Sequence, residues 1–392
     1  MTYLLVSGGF CAVAVLLGVV LARRAGTRRL SWPAVAVAAV GLLALTAIFD
    51  SLMIAADLFT YEESLISGLR IGLAPIEDFA YPLAAVVALP ALWALLTKPK
   101  GVDINSLLRH AFAASRPVSW INTAFPFASA MLLTTREIDW ALVVGTIYYL
   151  IPYNLAMYGI NDVFDYASDI NNPRKGGIEG ALIPPAFHRP LLWLVLASNL
   201  PFLILLLAVG TPGSVVAILV STFAVVAYSA PWLRFKERPV LDSLTSSTHF
   251  VSPAVVGLTL AGARIDGGLV MILAAFFAWG VAAHAFGAVQ DVVPDREAGI
   301  GSIATVFGAK WTVRFSLVLW ATAAVLMLAT PWPGPLAAVI AVPYLVNCVP
   351  YVRVSDAEAA RTNPAWRRFI WLNYFSGFLV TLVMILAWNM AA

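Results

Sequence analysis

Long apolar stretches, with no regular alternation of polar positions, dominate the chain. A transmembrane helix needs about 20 mostly apolar residues, whereas the strands of a membrane barrel alternate apolar and polar positions. The pattern therefore predicts an all-α, polytopic membrane protein with about twelve transmembrane helices. The predicted spans lie near residues 2–22, 32–49, 78–97, 117–134, 139–159, 190–209, 213–232, 245–262, 268–289, 313–330, 335–351 and 369–389.

The basic residues fit this number of spans. If the loop that holds Arg23 and Arg24 is cytoplasmic, alternate loops collect all but three of the 24 lysines and arginines. The exceptions are Arg70, Arg136 and Arg264. An excess of basic residues marks cytoplasmic loops. We therefore expect a protein of a prokaryotic plasma membrane with both termini on the outside.

The amino-acid composition is typical of a protein in a bilayer and does not indicate binding to nucleic acid. Hydrophobic residues make up 61% of the chain and charged residues 11%, against about 25% charged residues in soluble domains. The net charge of +3 is the ordinary excess of a membrane protein, and we expect no nucleic-acid partner. Cys11 and Cys348 lie in apolar stretches and indicate neither a disulfide framework nor a metal site.

Aspartates gather at the ends of two predicted spans. Asp162, Asp165 and Asp169 follow the fifth span at helical spacing, which places them on one helix face. Asp291 and Asp295 follow the ninth span, one turn apart. Both clusters fall at predicted cytoplasmic ends, where so many carboxylates require a cation. Mg²⁺ suits them because it binds one or two carboxylates together with phosphate oxygens; the alternative is a set of solvated loop acids.

Basic residues near both clusters suggest a phosphate ligand. Arginine and lysine form charge-assisted hydrogen bonds with phosphate oxygens, and Mg²⁺ on a diphosphate makes it a good leaving group. The candidates are Arg174, Lys175, Arg234 and Lys236.

Three segments resemble the UbiA superfamily of intramembrane prenyltransferases. Residues 161–169 (NDVFDYASD) resemble its first aspartate-rich motif, and residues 291–299 (DVVPDREAG) resemble the second. Residues 228–236 (YSAPWLRFK) are similar to its tyrosine-and-lysine stretch. The resemblance covers about residues 105–392 and implies a nine-helix prenyltransferase domain.

The resemblance implies a prenyl diphosphate held by two Mg²⁺ ions. Ionisation would give an allylic cation, which the π-electrons of an acceptor attack in an apolar cavity, with Tyr228 facing the cation or the diphosphate. The implied metal-binding residues are Asn161, Asp162, Asp165, Asp169, Asp291 and Asp295. The implied diphosphate-binding residues are Arg174, Lys175, Arg234 and Lys236.

Within the superfamily, residues 228–239 and 174–180 resemble the lycopene elongase branch, although Trp232 stands where a second proline is expected. The branch implies transfer of dimethylallyl groups from dimethylallyl diphosphate to lycopene or a related carotenoid, within membrane lipid. A quinone precursor, an aromatic acid or a lipid remains an alternative acceptor. A secondary transporter is an alternative of another class, although transporter acids tend to lie near the membrane midplane.

The first hundred residues carry a second pattern. Pro-x-Glu-Asp-Phe at residues 75–79 resembles the motif of the small membrane subunits of heterodimeric lycopene cyclases, which have about three spans. The resemblance implies a cyclase-like domain over 1–100 that acts with a separate partner subunit. Glu77 is the expected proton donor, with Asp78 or Asp50 as its partner, because apolar surroundings favour a protonated carboxyl group. Alternatively, the two acids cap a helix N-terminus after Pro75.

Overall fold

The computed structural model describes residues 2–25, 32–96, 103–170 and 180–390. These ranges are mostly helical, and two short strands form the one sheet within them. The predicted all-α class is confirmed. The chain divides into two compact units, Met1–Val102 and Asp103–Ala392.

The N-terminal unit consists of three long helices and a polar connection. Helices α1 and α2 both pack against α3. The connection between α2 and α3 contains the antiparallel strands β1 and β2, followed by a 3₁₀ turn at Ile76–Phe79. The elements are α1 (Thr2–Ala25), α2 (Trp32–Ala55), β1 (Arg70–Ile71), β2 (Ala74–Pro75) and α3 (Ala80–Leu96).

The C-terminal unit is a larger helical bundle. Short 3₁₀ turns connect several of its helices, at Pro117–Ser119, Phe235–Glu237, Gly334–Ile340, Val349–Tyr351 and Asp356–Thr362. The helices are α4 (Ile104–Ala114), α5 (Ile121–Thr135), α6 (Trp140–Leu150), α7 (Pro152–Phe164), α8 (Tyr166–Asp169), α9 (Pro185–Ala208), α10 (Pro212–Ser229), α11 (Leu241–Leu260), α12 (Gly267–Val289), α13 (Val292–Glu297), α14 (Ile303–Phe307), α15 (Ala309–Leu328), α16 (Ala341–Cys348) and α17 (Asn363–Met390).

The long helices of this unit form a closed arrangement. Helix α11 packs against α5, α10 and α12, and α12 packs against α15 and α17. Two hydrogen bonds tie α17 back to α5 and its N-terminal turn: Tyr374 Oη donates to the Val118 carbonyl at 2.9 Å, and Arg136 Nη2 donates to the Trp388 carbonyl at 3.0 Å. The helices therefore surround an interior space.

Aromatic side chains pack one side of the bundle. The rings of Phe286 and Phe369 stack with centroids 5.6 Å apart, and those of Trp320 and Tyr344 stack at 5.7 Å. All four side chains are buried, so they fix α12, α15, α16 and α17 relative to one another.

The outer surface is apolar, as a lipid-facing surface must be. Leu5 and Val37 of the N-terminal unit are 77% and 74% exposed, and Ile204 and Val318 of the larger unit are 59% and 62% exposed. In the described residues, ten helical segments are long and apolar enough to cross a bilayer. The two other predicted spans are helical as well: α5 is shorter, at 15 residues, and α11 carries many hydroxyl groups on buried positions.

Close contact between α5 and α6 depends on a glycine. A Cβ atom on Gly145 would overlap the ring of Phe127, which is fully buried. We expect Gly145→Ala to destabilise the unit by about 1–3 kcal/mol, the usual cost of overpacking, and to lower the melting temperature in detergent. Gly377→Ala in α17 is the matched control, since a Cβ there has no neighbour within 4 Å. Equal melting temperatures for both variants would contradict this packing.

Candidate active site

A cavity of about 1490 Å³ fills the interior of the larger unit. Asp291 and Asp295 line one end, and Asp266 and Trp332 line the other. Asp266 caps the start of α12 and Asp291 follows its end, so the cavity runs along the whole of this 23-residue helix, about 35 Å at 1.5 Å per residue.

The two ends of the cavity differ in chemistry from its middle. Charged and amide side chains concentrate at the end near Asp291. The middle is mostly apolar, so the cavity joins a polar end to a long hydrocarbon-like tunnel. Lining residues of the middle include Phe125, Leu133, Ala254, Leu258, Leu269, Ile272, Leu273, Phe276, Trp279 and Met327.

The first aspartate cluster lies where α7 ends and α8 begins. Asp162, Asp165 and Asp169 are 1%, 7% and 7% exposed. Asn161 Nδ2 donates to Asp165 Oδ2 at 2.6 Å and to Ser229 Oγ at 3.1 Å. Asn161, Asp165 and Asp169 line the cavity, whereas Asp162 faces an arginine that lines it.

That arginine is Arg116, which belongs to none of the motifs in the sequence. Its Nη2 donates to Asp162 Oδ1 at 3.0 Å, and its guanidinium carbon lies 4.2 Å from the centre of the Tyr158 ring. Arg116 adopts a left-handed backbone conformation (φ 49°) just before Pro117. In the sequence it looks like any other cytoplasmic-loop arginine, 46 residues from its partner, so no local signal identifies it.

Lys236 and Arg234 reach the same cluster from the loop between α10 and α11. Lys236 Nζ pairs directly with Asp165 Oδ1, and Arg234 Nη2 lies 3.8 Å from that oxygen. Burial lowers the pKa of Lys236 to about 8, although nearby carboxylates act in the opposite direction. Lysine with this pKa is still mostly protonated at pH 7, so the polar end retains a cation there.

The second aspartate cluster follows α12. Asp291 and Asp295 line the cavity, and the Asp295 N–H donates to the Asp291 carbonyl at 2.9 Å. Arg296 does not join them, because its Nη1 donates to Asp356 Oδ2 at 2.6 Å and its Nε and Nη2 donate to the Thr305 carbonyl. Within this motif, the aspartates are the residues that belong to the site.

The two clusters meet at one end of the cavity. The charges of Asp162 and Asp295 both act to raise the pKa of Lys236, so one aspartate of each cluster lies near this lysine. Oxygen donors of this kind fit Mg²⁺. In the described part of the chain, no three carboxylate, thiolate or imidazole groups form a ready-made ion site.

Tyr228 lies between the polar end and the tunnel. Its hydroxyl is 3.0 Å from His284 Nε2, and His284 Nδ1 is 3.0 Å from Ser243 Oγ. The next residue, Ser229, accepts the hydrogen bond from Asn161. These hydrogen bonds hold Tyr228 at the border between the polar end and the apolar part of the cavity.

Two of the predicted phosphate-binding residues, Arg174 and Lys175, lie outside the described residues. Lys236 lines the cavity, and Arg234 lies near Asp165. Five of the six predicted metal-binding residues line the cavity, and the sixth, Asp162, pairs with Arg116, which lines it.

In the N-terminal unit, the predicted acids have separate partners. Glu77 is 5% exposed, and its Oε1 accepts the Ser67 N–H at 2.6 Å. Asp78 Oδ2 accepts from Tyr61 Oη at 2.6 Å, and Asp50 is within hydrogen-bonding reach of Asp78. Burial and the bond to Asp78 raise the pKa of Tyr61 above its ordinary value.

This arrangement corrects one expectation. Glu77 does not lie in wholly apolar surroundings, since the Ser67 N–H stabilises its carboxylate form. Its second oxygen, Oε2, is buried without a hydrogen-bond partner among the described residues. Both Glu77 and Asp78 also lie in the first turn of the 3₁₀ segment, as the capping alternative requires.

Comparison with known proteins adds sequence relatives and fold neighbours. The model of the UbiA prenyltransferase family matches residues 123–388. A protein of Dietzia sp. (strain CQ4), named C(50) beta-cyclic carotenoids biosynthesis protein LbtBC, is 49% identical over 387 residues, which cover 89% of this chain and 90% of that protein. A lycopene elongase/hydratase of Corynebacterium glutamicum is 49% identical over 278 residues, or 71% of this chain and 97% of that one.

A solved structure of a digeranylgeranylglyceryl phosphate synthase has the same fold. It superposes with a TM-score of 0.52 over 71% of this chain and 99% of its own, at 13% identity. At this identity the likeness concerns the fold alone.

Proposed function

The chain belongs to the UbiA prenyltransferase family, and on this premise we propose that it transfers dimethylallyl groups from dimethylallyl diphosphate to lycopene or a related carotenoid. The observation that carries this proposal is the cavity: one end is rich in carboxylates and cations, and the middle is a long apolar tunnel. A diphosphate suits the first part, and a rod-shaped hydrocarbon suits the second.

The tunnel and the relatives both support a carotenoid acceptor. A cavity about as long as a membrane is thick fits an acceptor that is itself extended and apolar. Two proteins at 49% identity are named for C(50) carotenoid biosynthesis and for lycopene elongation or hydration, which supports a carotenoid over a quinone precursor or a lipid. The family membership argues against a transporter.

The polar end has the groups that ionisation of a diphosphate needs. We propose that Asn161, Asp162, Asp165, Asp169, Asp291 and Asp295 hold Mg²⁺ on the diphosphate. The metal would supply Lewis-acid stabilisation of the charge on the leaving group. Arg116, Arg234 and Lys236 neutralise the carboxylates in this structure and would bind diphosphate oxygens in the complex, where Arg174 and Lys175 would add further charge.

Beyond the polar end, the protein would guide the allylic cation to its acceptor. The ring of Tyr228 would stabilise the cation through its π-face, and the hydrogen bond between its hydroxyl and His284 would keep the ring in place. The apolar walls exclude water, which would otherwise capture the cation. From the positions of the basic residues we propose that this end faces the cytoplasm.

Label transfer tests the reaction and the acceptor together. Membranes that contain the protein, supplied with lycopene, Mg²⁺ and radiolabelled dimethylallyl diphosphate, should transfer label to the carotenoid fraction, and EDTA should stop the transfer. Label in a quinone or lipid fraction instead would contradict the proposed acceptor.

Removal of the Lys236 charge should weaken diphosphate binding. Hydrogen bonds to charged groups contribute about 1.5–3 kcal/mol, so we expect Lys236→Gln to lower kcat/KM for dimethylallyl diphosphate by about 10- to 100-fold. Lys310→Gln is the matched control, because Lys310 is an exposed lysine next to Trp311. An unchanged kcat/KM in Lys236→Gln would contradict the assigned role.

We further propose that the N-terminal unit, with a separate partner subunit, cyclises the carotenoid end group. Two observations favour this. The first is that Oε2 of Glu77 is buried and has no hydrogen-bond partner within the described ranges. The second is the name of the Dietzia relative, which specifies β-cyclic products and whose similarity extends over most of this chain. Since Oε1 is held by Ser67, Oε2 would carry the proton that is given to the terminal double bond. Asp78, supported by Tyr61 and Asp50, would be the nearby carboxylate that helps to accept the ring proton lost from the resulting cation.

A further inference from the structure

One buried side chain that lines the cavity has no role in the proposed prenyl transfer. His249 lies on α11, lines the cavity and is 3% exposed. Its ring lies within hydrogen-bonding reach of the backbone of Ala224 on α10. Its Nε2, by contrast, is buried and has no hydrogen-bond partner among the described residues. A buried polar atom without a partner costs free energy, so it calls for an explanation.

The backbone of Ala224 favours one tautomer of the His249 ring. Because Nε2 has no hydrogen-bond partner in the part of the chain that the structure describes, Nδ1 is the nitrogen that faces this backbone. The N–H of Ala224 is used inside its helix, so the group that remains is a carbonyl, which only accepts. Nδ1 must therefore carry the proton, and Nε2 keeps a lone pair. The structure thus holds a neutral imidazole with its basic nitrogen unengaged.

The His249 ring lies beside Tyr228, a residue of the proposed site of prenyl transfer. The rings of His249 and Tyr228 are in edge contact, with centroids 5.3 Å apart. Tyr228 adjoins Ser229, which is bonded to Asn161 of the first aspartate cluster. His249 therefore lies one aromatic ring farther into the tunnel than the polar end. The nearby His284 differs, because both of its ring nitrogens already have partners.

We propose that His249 Nε2 is the base that completes prenyl transfer, an inference that rests on the proposed function. The allylic C–O bond breaks, and its electron pair leaves with the diphosphate, which stays at the polar end. The π-pair of the acceptor's terminal double bond then forms the new C–C bond. This leaves a positive charge on an acceptor carbon. The electron pair of an adjacent C–H bond then forms a new double bond, and the proton goes to Nε2. The resulting imidazolium releases the proton to solvent when the product leaves.

His249→Asn tests this assignment with little disturbance. Asparagine keeps a nitrogen near the position of Nδ1, so it can still donate to the Ala224 carbonyl, but it has no basic atom at the position of Nε2. General-base catalysis contributes about 10²- to 10⁴-fold, so we expect formation of the elongated alkene to fall by at least about 10²-fold. The longer-lived cation should be captured by water, and the hydroxylated fraction of the remaining product should rise. A purely structural role would not shift this ratio.

The controls separate this inference from the proposed function. His110→Asn on α4, where the ring packs against Phe187, should keep both the rate and the product ratio of the wild type. Rates are normalised to the folded protein in each sample, and His249→Gln provides a second substitution if His249→Asn does not accumulate. An unchanged rate and product ratio in the folded His249 variant would overturn the inference. Absence of any elongated product with the wild type would instead overturn the proposed function.

Discussion

Replacing Asp291 with asparagine should reduce prenyl transfer by at least about 10²- to 10³-fold, the usual effect of removing one group that stabilises developing charge. Asparagine keeps the shape of the side chain and removes the charge that would bind Mg²⁺. Asp291 suits this test because it lines the cavity at the end of α12, and it is not part of the Asp162–Arg116 ion pair. Initial rates with radiolabelled dimethylallyl diphosphate at saturating Mg²⁺ measure the effect.

Asp139→Asn is the matched control for this substitution. Asp139 caps α6, where its Oδ1 accepts the Leu142 N–H at 2.7 Å, and asparagine is an equally good N-cap residue. We expect wild-type rates from this variant. Wild-type rates from Asp291→Asn, over a range of Mg²⁺ concentrations, would mean that the second aspartate cluster does not bind the metal.

Replacing Glu77 with glutamine should abolish ring closure while leaving prenyl addition intact. Glutamine can still accept the Ser67 N–H through its amide oxygen, but it has no proton to give to a double bond. The expected result is accumulation of acyclic, elongated carotenoid in cells where the wild-type chain and a partner subunit yield a cyclic product. Chromatography of the extracted pigments measures the ratio of acyclic to cyclic product.

Two further substitutions complete this test. Glu62→Gln changes an exposed glutamate that accepts a hydrogen bond from Ser64 Oγ, and it should leave the products unchanged. If Glu77→Gln still forms cyclic product and Asp78→Asn does not, the proton donor is the carboxyl pair of Asp78 and Asp50 and not Glu77.

The sequence predicts the helices well because lipid imposes a simple rule on each of them. Apolar runs of membrane-spanning length appear directly as helices, and charged positions fall between them. Helix α11 shows where the rule weakens: Asp242, Ser243, Ser247 and His249 are buried in it. These side chains face the bundle interior and the cavity, so their polarity does not mark a loop.

The site could be predicted only in part. Its aspartates are recognisable because each cluster is local in sequence, at helical spacing. The Arg116–Asp162 and Lys236–Asp165 pairs join distant segments, so they depend on how the helices pack. The hydrogen bond from the Ser67 N–H to Glu77 joins the residues before β1 to those after β2. It changes the surroundings of that carboxyl group in a way that composition alone does not reveal.

Mass spectrometry of pigments tests the central claim most directly. Lycopene-producing cells that express the wild-type chain are compared with cells that express Asp162→Ala. The account predicts products heavier than lycopene by one or two five-carbon units with the wild type, and unmodified lycopene with the variant. Unmodified lycopene in both strains, with the wild-type protein folded in the membrane, would contradict the assignment of lycopene as the acceptor.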